Sequence, residues 1–256
     1  MLTTQDKHNA LQALRQHLRL PDATGSTQRL LQPVTGDQLS AEMFAEGLHE
    51  IVGETPGDRA AAILFALLAG NDRKQRRRAL FFASLAGKGR EGRLLYGAGL
   101  ARLGLNPARL CLLVAPSEKA LLWAAEEAAS CPALASAVIA LGRHEKLYGF
   151  TESRRLKLRL EKSGVPLFIV RSQAGEASAA TARWHVAFAA SEGLRAPGSP
   201  VPLLGRPRFR VRLERYAGVP PLQWEIELDE AHALRVAAAD SDRPADARPL
   251  PNERAA

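Results

Sequence analysis

No apolar run in this chain approaches the length needed to cross a bilayer. The best, Ala60–Leu68, is far too short. Cysteine is nearly absent. Cys111 and Cys131 lie in expected buried segments without a Cys-x-x-Cys spacing, which argues against a zinc site and a disulfide framework and for a reduced, cytoplasmic setting. The N-terminus is polar and its first apolar residues are helically spaced, so no secretory signal is expected. Aromatics make up only 5% of a chain that is 46% hydrophobic, so the core must be built from Ala, Leu and Val. No internal repeat is visible. What is abundant is arginine: the net charge is +8 and the pI about 10.0. That balance favours an anionic partner, nucleic acid first, although a GC-rich genome would produce the same composition.

The chain is organised around one stretch. Leu48–Val52 is expected to be a short strand, Gly53 to Arg59 a glycine-bearing loop, and Ala60–Leu68 a helix apolar all round and therefore buried. A strand, a glycine loop and a helix are the layout of a phosphate-binding loop, whose backbone N–H groups close on phosphate oxygens. Such a loop also needs a lysine for the outer phosphates and a Ser or Thr for magnesium. Counted from Gly53, the lysine slot holds Arg59 and the hydroxyl slot Ala60. Gly57 comes one place early and Asp58 stands where a glycine is wanted. The bland alternative is a tight turn between strand and helix at Gly53 and Gly57.

Around this stretch, strands and helices alternate. Gln5–Leu20 reads as a short amphipathic helix, followed by a linker. Ala79–Leu85 and Arg109–Ala115 read as buried strands, and Ser117 starts a helix through Ala129. Ala133–Leu141 holds a strand, Thr151 caps a helix over Glu152–Lys162, and Pro166–Gln173 is the next strand. Beyond Gln173 the pattern turns antiparallel. Thr181–Ala189 alternates like a strand with one wet face, and Arg208–Tyr216 turns back into Leu222–Leu228 as an edge hairpin. The expected fold class is α/β, a mostly parallel sheet flanked by helices. The expected divisions are residues 1–46 as N-terminal helix and linker, 47–229 as the core domain, and 238–256 as a disordered tail.

The order of these pieces resembles the RecA recombinase core. Glu50-Ile51-Val52-Gly53 looks like the strand entering its phosphate loop, and Ala137–Leu141 falls where that family has its Walker B strand. Phe168–Gln173 looks like the strand ending in the glutamine that senses the γ-phosphate. A closer similarity is to the ImuA family, RecA-like but degenerate proteins of bacterial SOS mutagenesis cassettes. It rests on Gly47–Gly53, Thr151–Leu158 leading to Gly164–Ile169, Ser178–Val186 and Gly205–Val211, and spans roughly Gly47 to Leu228. The resemblance implies a RecA-like fold and an accessory role in damage-induced mutagenesis and translesion synthesis. It also implies work beside ImuB, a polymerase-like protein, and an error-prone C-family DNA polymerase, in the cytoplasm and at the nucleoid.

A recombinase-type ATPase needs the lysine, the hydroxyl, a Walker B acid and a water-activating carboxylate. The Walker B slot near Ala140-Leu141-Gly142 has no acid, and Glu145 lies beyond a turn. The activating position falls on Ala83–Ala86. The protein is therefore expected not to be an enzyme and to need no cofactor. Gly53, Glu54, Thr55, Gly57, Arg59 and Gln173 are the residues a vestigial nucleotide site would use. His49 reads as a packed core histidine, and no metal site is expected. For single-stranded DNA the candidates are Arg76, Arg77 and Arg78, the densest basic run, and Arg183, Trp184, Arg208 and Arg210, a basic–aromatic surface. A solvated loop and a charge-guarded edge strand are the corresponding bland readings. Three other readings compete: a P-loop ATPase with an atypical loop, a SulA-type cell-division inhibitor, and a sequence-independent DNA binder.

Overall fold

The computed structural model describes residues 41–71, 77–86, 95–142, 145–173, 175, 177–191, 193, 205–216 and 219–237. The expected N-terminal helix Gln5–Leu20, Arg76 and the expected tail at 238–256 lie outside them.

A 3₁₀ turn at Ala41–Phe44 brings Met43 and Phe44 into the core, and β1 (Leu48–Val52) follows with every residue buried. α1 (Pro56–Ala69) begins four residues before the apolar run does. Proline at the first helical position arrives with its φ already set, and Thr55 with Asp58 forms a capping box. β2 (Ala79–Leu85) is followed by α2 (Gly97–Arg102), β3 (Leu110–Ala115), α3 (Glu118–Ala129, capped by Ser117) and β4 (Leu134–Ala140). α4 (Phe150–Ser163) starts at a Gly149 cap rather than at Thr151, because the Glu152 carboxylate reaches back to the Gly149 N–H at 3.1 Å. β5 (Leu167–Arg171), β6 (Ala182–Ala189), β7 (Arg208–Tyr216), β8 (Leu222–Leu228) and β9 (Leu234–Val236) complete the chain.

The nine strands form one sheet in the order β3-β2-β4-β5-β1-β6-β7-β8-β9. β1 to β6 pair in parallel, and β7, β8 and β9 are added antiparallel. This is a mixed α/β sheet consistent with a RecA-like core. α1 lies on one face, over β1, β4, β5 and β6, and shares a core with Phe44, Phe168, Trp184, Phe209 and Trp224. α3 and α4 lie on the other face, against a core that includes Leu48, Ile139 and Ile169. No helix among the described residues is long and apolar enough to cross a membrane.

Two placements differ from the sequence-based expectation. β3 is the outermost strand, with Leu112 and Val114 exposed, so its continuous apolar run does not mean burial on both faces. The β7–β8 hairpin is not the opposite edge, since β9 pairs beyond it and past residue 229.

Candidate functional site

The carboxyl ends of β1, β4 and β5 meet at the start of α1, where a nucleotide would sit in a sheet of this kind. Three residues, Gly53 to Thr55, link β1 to the helix, and Pro56 to Arg59 already form its first turn. A Cβ on Gly53 would meet the Asp58 carbonyl oxygen at 2.5 Å and the Arg59 nitrogen at 2.6 Å. The helix backbone itself thus occupies the space against this glycine. Gly57 has no such role, since a Cβ there would meet nothing closer than Thr55 Oγ1 at 3.8 Å.

The N–H groups that could hold an anion are largely engaged. Gly53 donates to the Arg171 carbonyl (2.9 Å), Thr55 to Asp58 Oδ2 (3.3 Å), Asp58 to Thr55 Oγ1 (3.1 Å) and Arg59 to the Thr55 carbonyl (2.8 Å). Pro56 has no N–H. Asp58 also places a carboxylate where the helix dipole would otherwise attract phosphate. The Arg59 guanidinium donates to the Leu141 carbonyl and to Ser172 Oγ (3.3 Å), tying together the chain just past β4 and β5. Gln173 lies two residues beyond β5 and is exposed, while Glu54 is exposed and 3.3 Å from His185 Nδ1. Beside the loop is an open notch of about 250 Å³. Glu54 and Asp58 line its loop side, and Arg210 and Arg212 its strand side.

Next to this closed loop lies a network of buried and half-buried polar side chains that residue order alone does not reveal. Glu50, fully buried on β1, accepts from Tyr148 Oη (3.0 Å) and Arg171 Nη1 (3.4 Å) on one oxygen, and from Arg183 Nε (2.8 Å) on the other. Arg171 also donates to Glu145 Oε1 (3.0 Å), and its guanidinium lies over the Tyr148 ring. Arg183 continues to Glu214 Oε1 (3.2 Å), whose other oxygen is 2.6 Å from His185 Nε2. Carboxylates and arginines therefore alternate from Glu145 to Glu214 across four adjacent strands, and the His185 ring closes the series. Glu145 stands nearest the Walker B slot, but its partner is a buried arginine, and its Oε2 has no hydrogen-bond partner among the described residues. Among the described residues no cluster of metal-ligating side chains occurs.

The charges shift accordingly. Burial works to lower the Arg183 pKa, and the hydrogen bond and charge of Glu50, with Glu214, outweigh it and raise it. Burial works to raise Glu214, and His185 and Arg183 pull it down further. Burial, then the Glu50 charge, push the Tyr148 hydroxyl well above its ordinary range. The signal available in the sequence is a single charge inside each apolar strand: Glu50 in LHEIV and Arg171 closing LFIVR. On the opposite face His49 is a core histidine. Its Nε2–H donates to the Glu46 carbonyl (2.9 Å), its Nδ1 accepts from Trp184 Nε1–H (3.4 Å), and burial lowers its pKa from 6.5 to about 4.

The candidate DNA contacts are not brought together. Trp184 is fully buried, packed 4.9 Å from Phe44 between ring centroids, so it offers no face to a base. Arg183 is buried in the charge chain. Period-two alternation sends these two neighbours to opposite faces, and neither face is open there. Arg208 and Arg210 do lie on the face of β7 away from α1, yet each faces a carboxylate on β8: Glu227 at 2.5 Å and Glu225 at 3.9 Å. Arg77 and Arg78 are exposed ahead of β2, five strand positions from β7, or about 24 Å.

No family model matches the chain. It is similar to the proteins named "Protein ImuA" from two Caulobacter vibrioides strains, NA1000 / CB15N and ATCC 19089 / CIP 103742 / CB 15. Each is 32% identical over 166 residues, covering 58% of this chain and 64% of the relative, so the chain spans a little under two thirds of their length.

Proposed function

We propose that this protein is a non-catalytic, RecA-like accessory of damage-induced (SOS) mutagenesis and translesion DNA synthesis. In this reading it is an adaptor beside an ImuB-type polymerase-like protein and an error-prone C-family DNA polymerase. The observation that carries the non-catalytic part is the first turn of α1, whose backbone packs on Gly53 where a phosphate cradle would have to open. Arg59, the nearest counterpart of a loop lysine, is committed to Leu141 and Ser172, so phosphate would have to displace bonds internal to the fold. Similarity to Protein ImuA supports the mutagenesis setting. Single-stranded DNA belongs to the proposal through phosphate contact at Arg77 and Arg78, with Trp184 and Arg183 removed from the contact set.

The test is co-purification of the tagged full chain with the products of its neighbouring genes. Stable capture of a polymerase-like protein, unchanged by added ATP or by Arg59→Ala, is the expected result. Capture that needs ATP, or capture of the cell-division GTPase instead, contradicts the adaptor reading.

A further inference from the structure

α4 turns Ser153, Leu156 and Leu160 inward, which accounts for its buried side. Its outer side carries an unusual ridge. Phe150, Arg154, Leu158 and Lys162 follow one another at intervals of four residues, so they stack along one row of the helix surface. Phe150 is 53% and Leu158 50% exposed, and Leu147, just ahead of the helix, is 49% exposed. Large apolar groups left half in water at such spacing are the anchors by which a helix receives a partner helix.

Most cations around these anchors stand outside ion pairs. Within Phe150–Ser163 there are five basic and two acidic residues. Arg159 reaches Glu126 at 2.8 Å, and Glu152 is turned to the Gly149 N–H. Among the described residues Arg154, Arg155 and Lys162 are in no ion pair. On the β7–β8 face, by contrast, the arginines stand opposite Glu225 and Glu227. Long cationic stems at this spacing also extend the apolar surface while keeping their heads available.

We propose that the outer ridge of α4 is a docking surface for an acidic amphipathic helix of a partner protein. Two apolar side chains one or two turns apart would pack beside Phe150 and Leu158, and flanking carboxylates would meet Arg154, Arg155 and Lys162. Charge and composition exclude the other occupants. Residues 1–40 carry four basic and three acidic side chains, so that segment is not acidic. Residues 238–256 are proline-bearing and hold one large apolar residue, Leu250. A second copy would set one basic ridge against another. The proposal gives the adaptor reading a surface, and rests on it only in that a partner protein exists.

The experiment is a fluorescence-anisotropy titration of the full chain with a labelled 18-residue helical peptide. Its leucines recur every three to four residues and are flanked by glutamates. Controls are the same peptide with lysines for glutamates, and a shuffled acidic peptide of equal charge. The expected result is micromolar binding of the amphipathic acidic peptide alone, weakened several-fold by raising salt from 50 to about 300 mM. Arg154→Glu with Lys162→Glu raises Kd at least tenfold, and Leu158→Ser several-fold, with unchanged thermal melts because these side chains are exposed. Absence of binding, equal binding of the shuffled peptide, or binding indifferent to all three substitutions overturns the proposal. Failure to co-purify a polymerase-like protein while the peptide still binds strikes the adaptor reading instead and leaves this surface standing.

Discussion

Glu50 holds two arginines at once, and its burial leaves no water to replace either contact. Buried pairs add little net stability over an apolar substitute, but removing one member strands the others. Glu50→Gln is therefore expected to cost about 3 kcal/mol or more, read as a lower urea midpoint with an unchanged slope. A loss below about 1 kcal/mol would show that the arginines find water or other acids. His49 sets a second, pH-dependent test. Its folded pKa of about 4 lies below the ordinary 6.5, so the unfolded chain takes up the proton first as pH falls. Its contribution is complete above pH 6.5, declines from there to about pH 4, and changes no further below that. The full decline is about 3 kcal/mol. His49→Gln should flatten the stability curve in that window, whatever it does to stability at pH 8. An unaltered slope contradicts a neutral, buried His49. Neither residue's full set of partners is legible in the sequence, because they lie far along the chain: Tyr148, Arg171 and Arg183 for Glu50, and Trp184 for His49. What is legible at His49 is its place inside an apolar strand.

The strand–turn–helix element separates two uses of glycine. Gly53→Ala must push the first turn of α1 away from β1, a backbone movement costing about 1–3 kcal/mol. Gly57→Ala lies in a helix with room for a methyl and should be neutral or stabilising by up to about 1 kcal/mol. A phosphate cradle would need both glycines for ligand approach, so equal stability effects at the two positions contradict a loop closed by its own helix. Thermal melts of the two variants decide this. The loop's degeneracy is legible in its residue types alone, since Arg59 and Ala60 stand in the chemical slots. Its closure is not, because it depends on where Pro56 and the Thr55–Asp58 box start the helix. The alternation in β7 and β8 is plain, and the acids opposite Arg208 and Arg210 follow from pairing register, which residue order alone does not fix.

Across the whole molecule, the sequence carries the parallel α/β core well, because buried parallel strands are continuous apolar runs bounded by turns. It carries the edges poorly. β3 has the composition of an interior strand and sits outermost, and β9 is three residues with little apolar signal. Arg77 and Arg78 and the basic strand β7 lie on distant parts of the sheet, so any DNA affinity should be modest. It should fall with salt as few phosphates are contacted, and Arg77→Glu with Arg78→Glu should weaken it more than Arg208→Glu does. Electrophoretic mobility at several salt concentrations reads both effects. A stronger loss from Arg208→Glu would place the DNA on β7 instead.

The central claim, a motor's scaffold sealed where its fuel would enter, meets its most direct test in a calorimetric titration of the clean full chain with ATP and magnesium, run beside a turnover assay. The account predicts no saturable heat at millimolar nucleotide and no phosphate release above buffer, for the natural chain and for Arg59→Ala alike. Saturable binding with turnover that disappears in Arg59→Ala would contradict it.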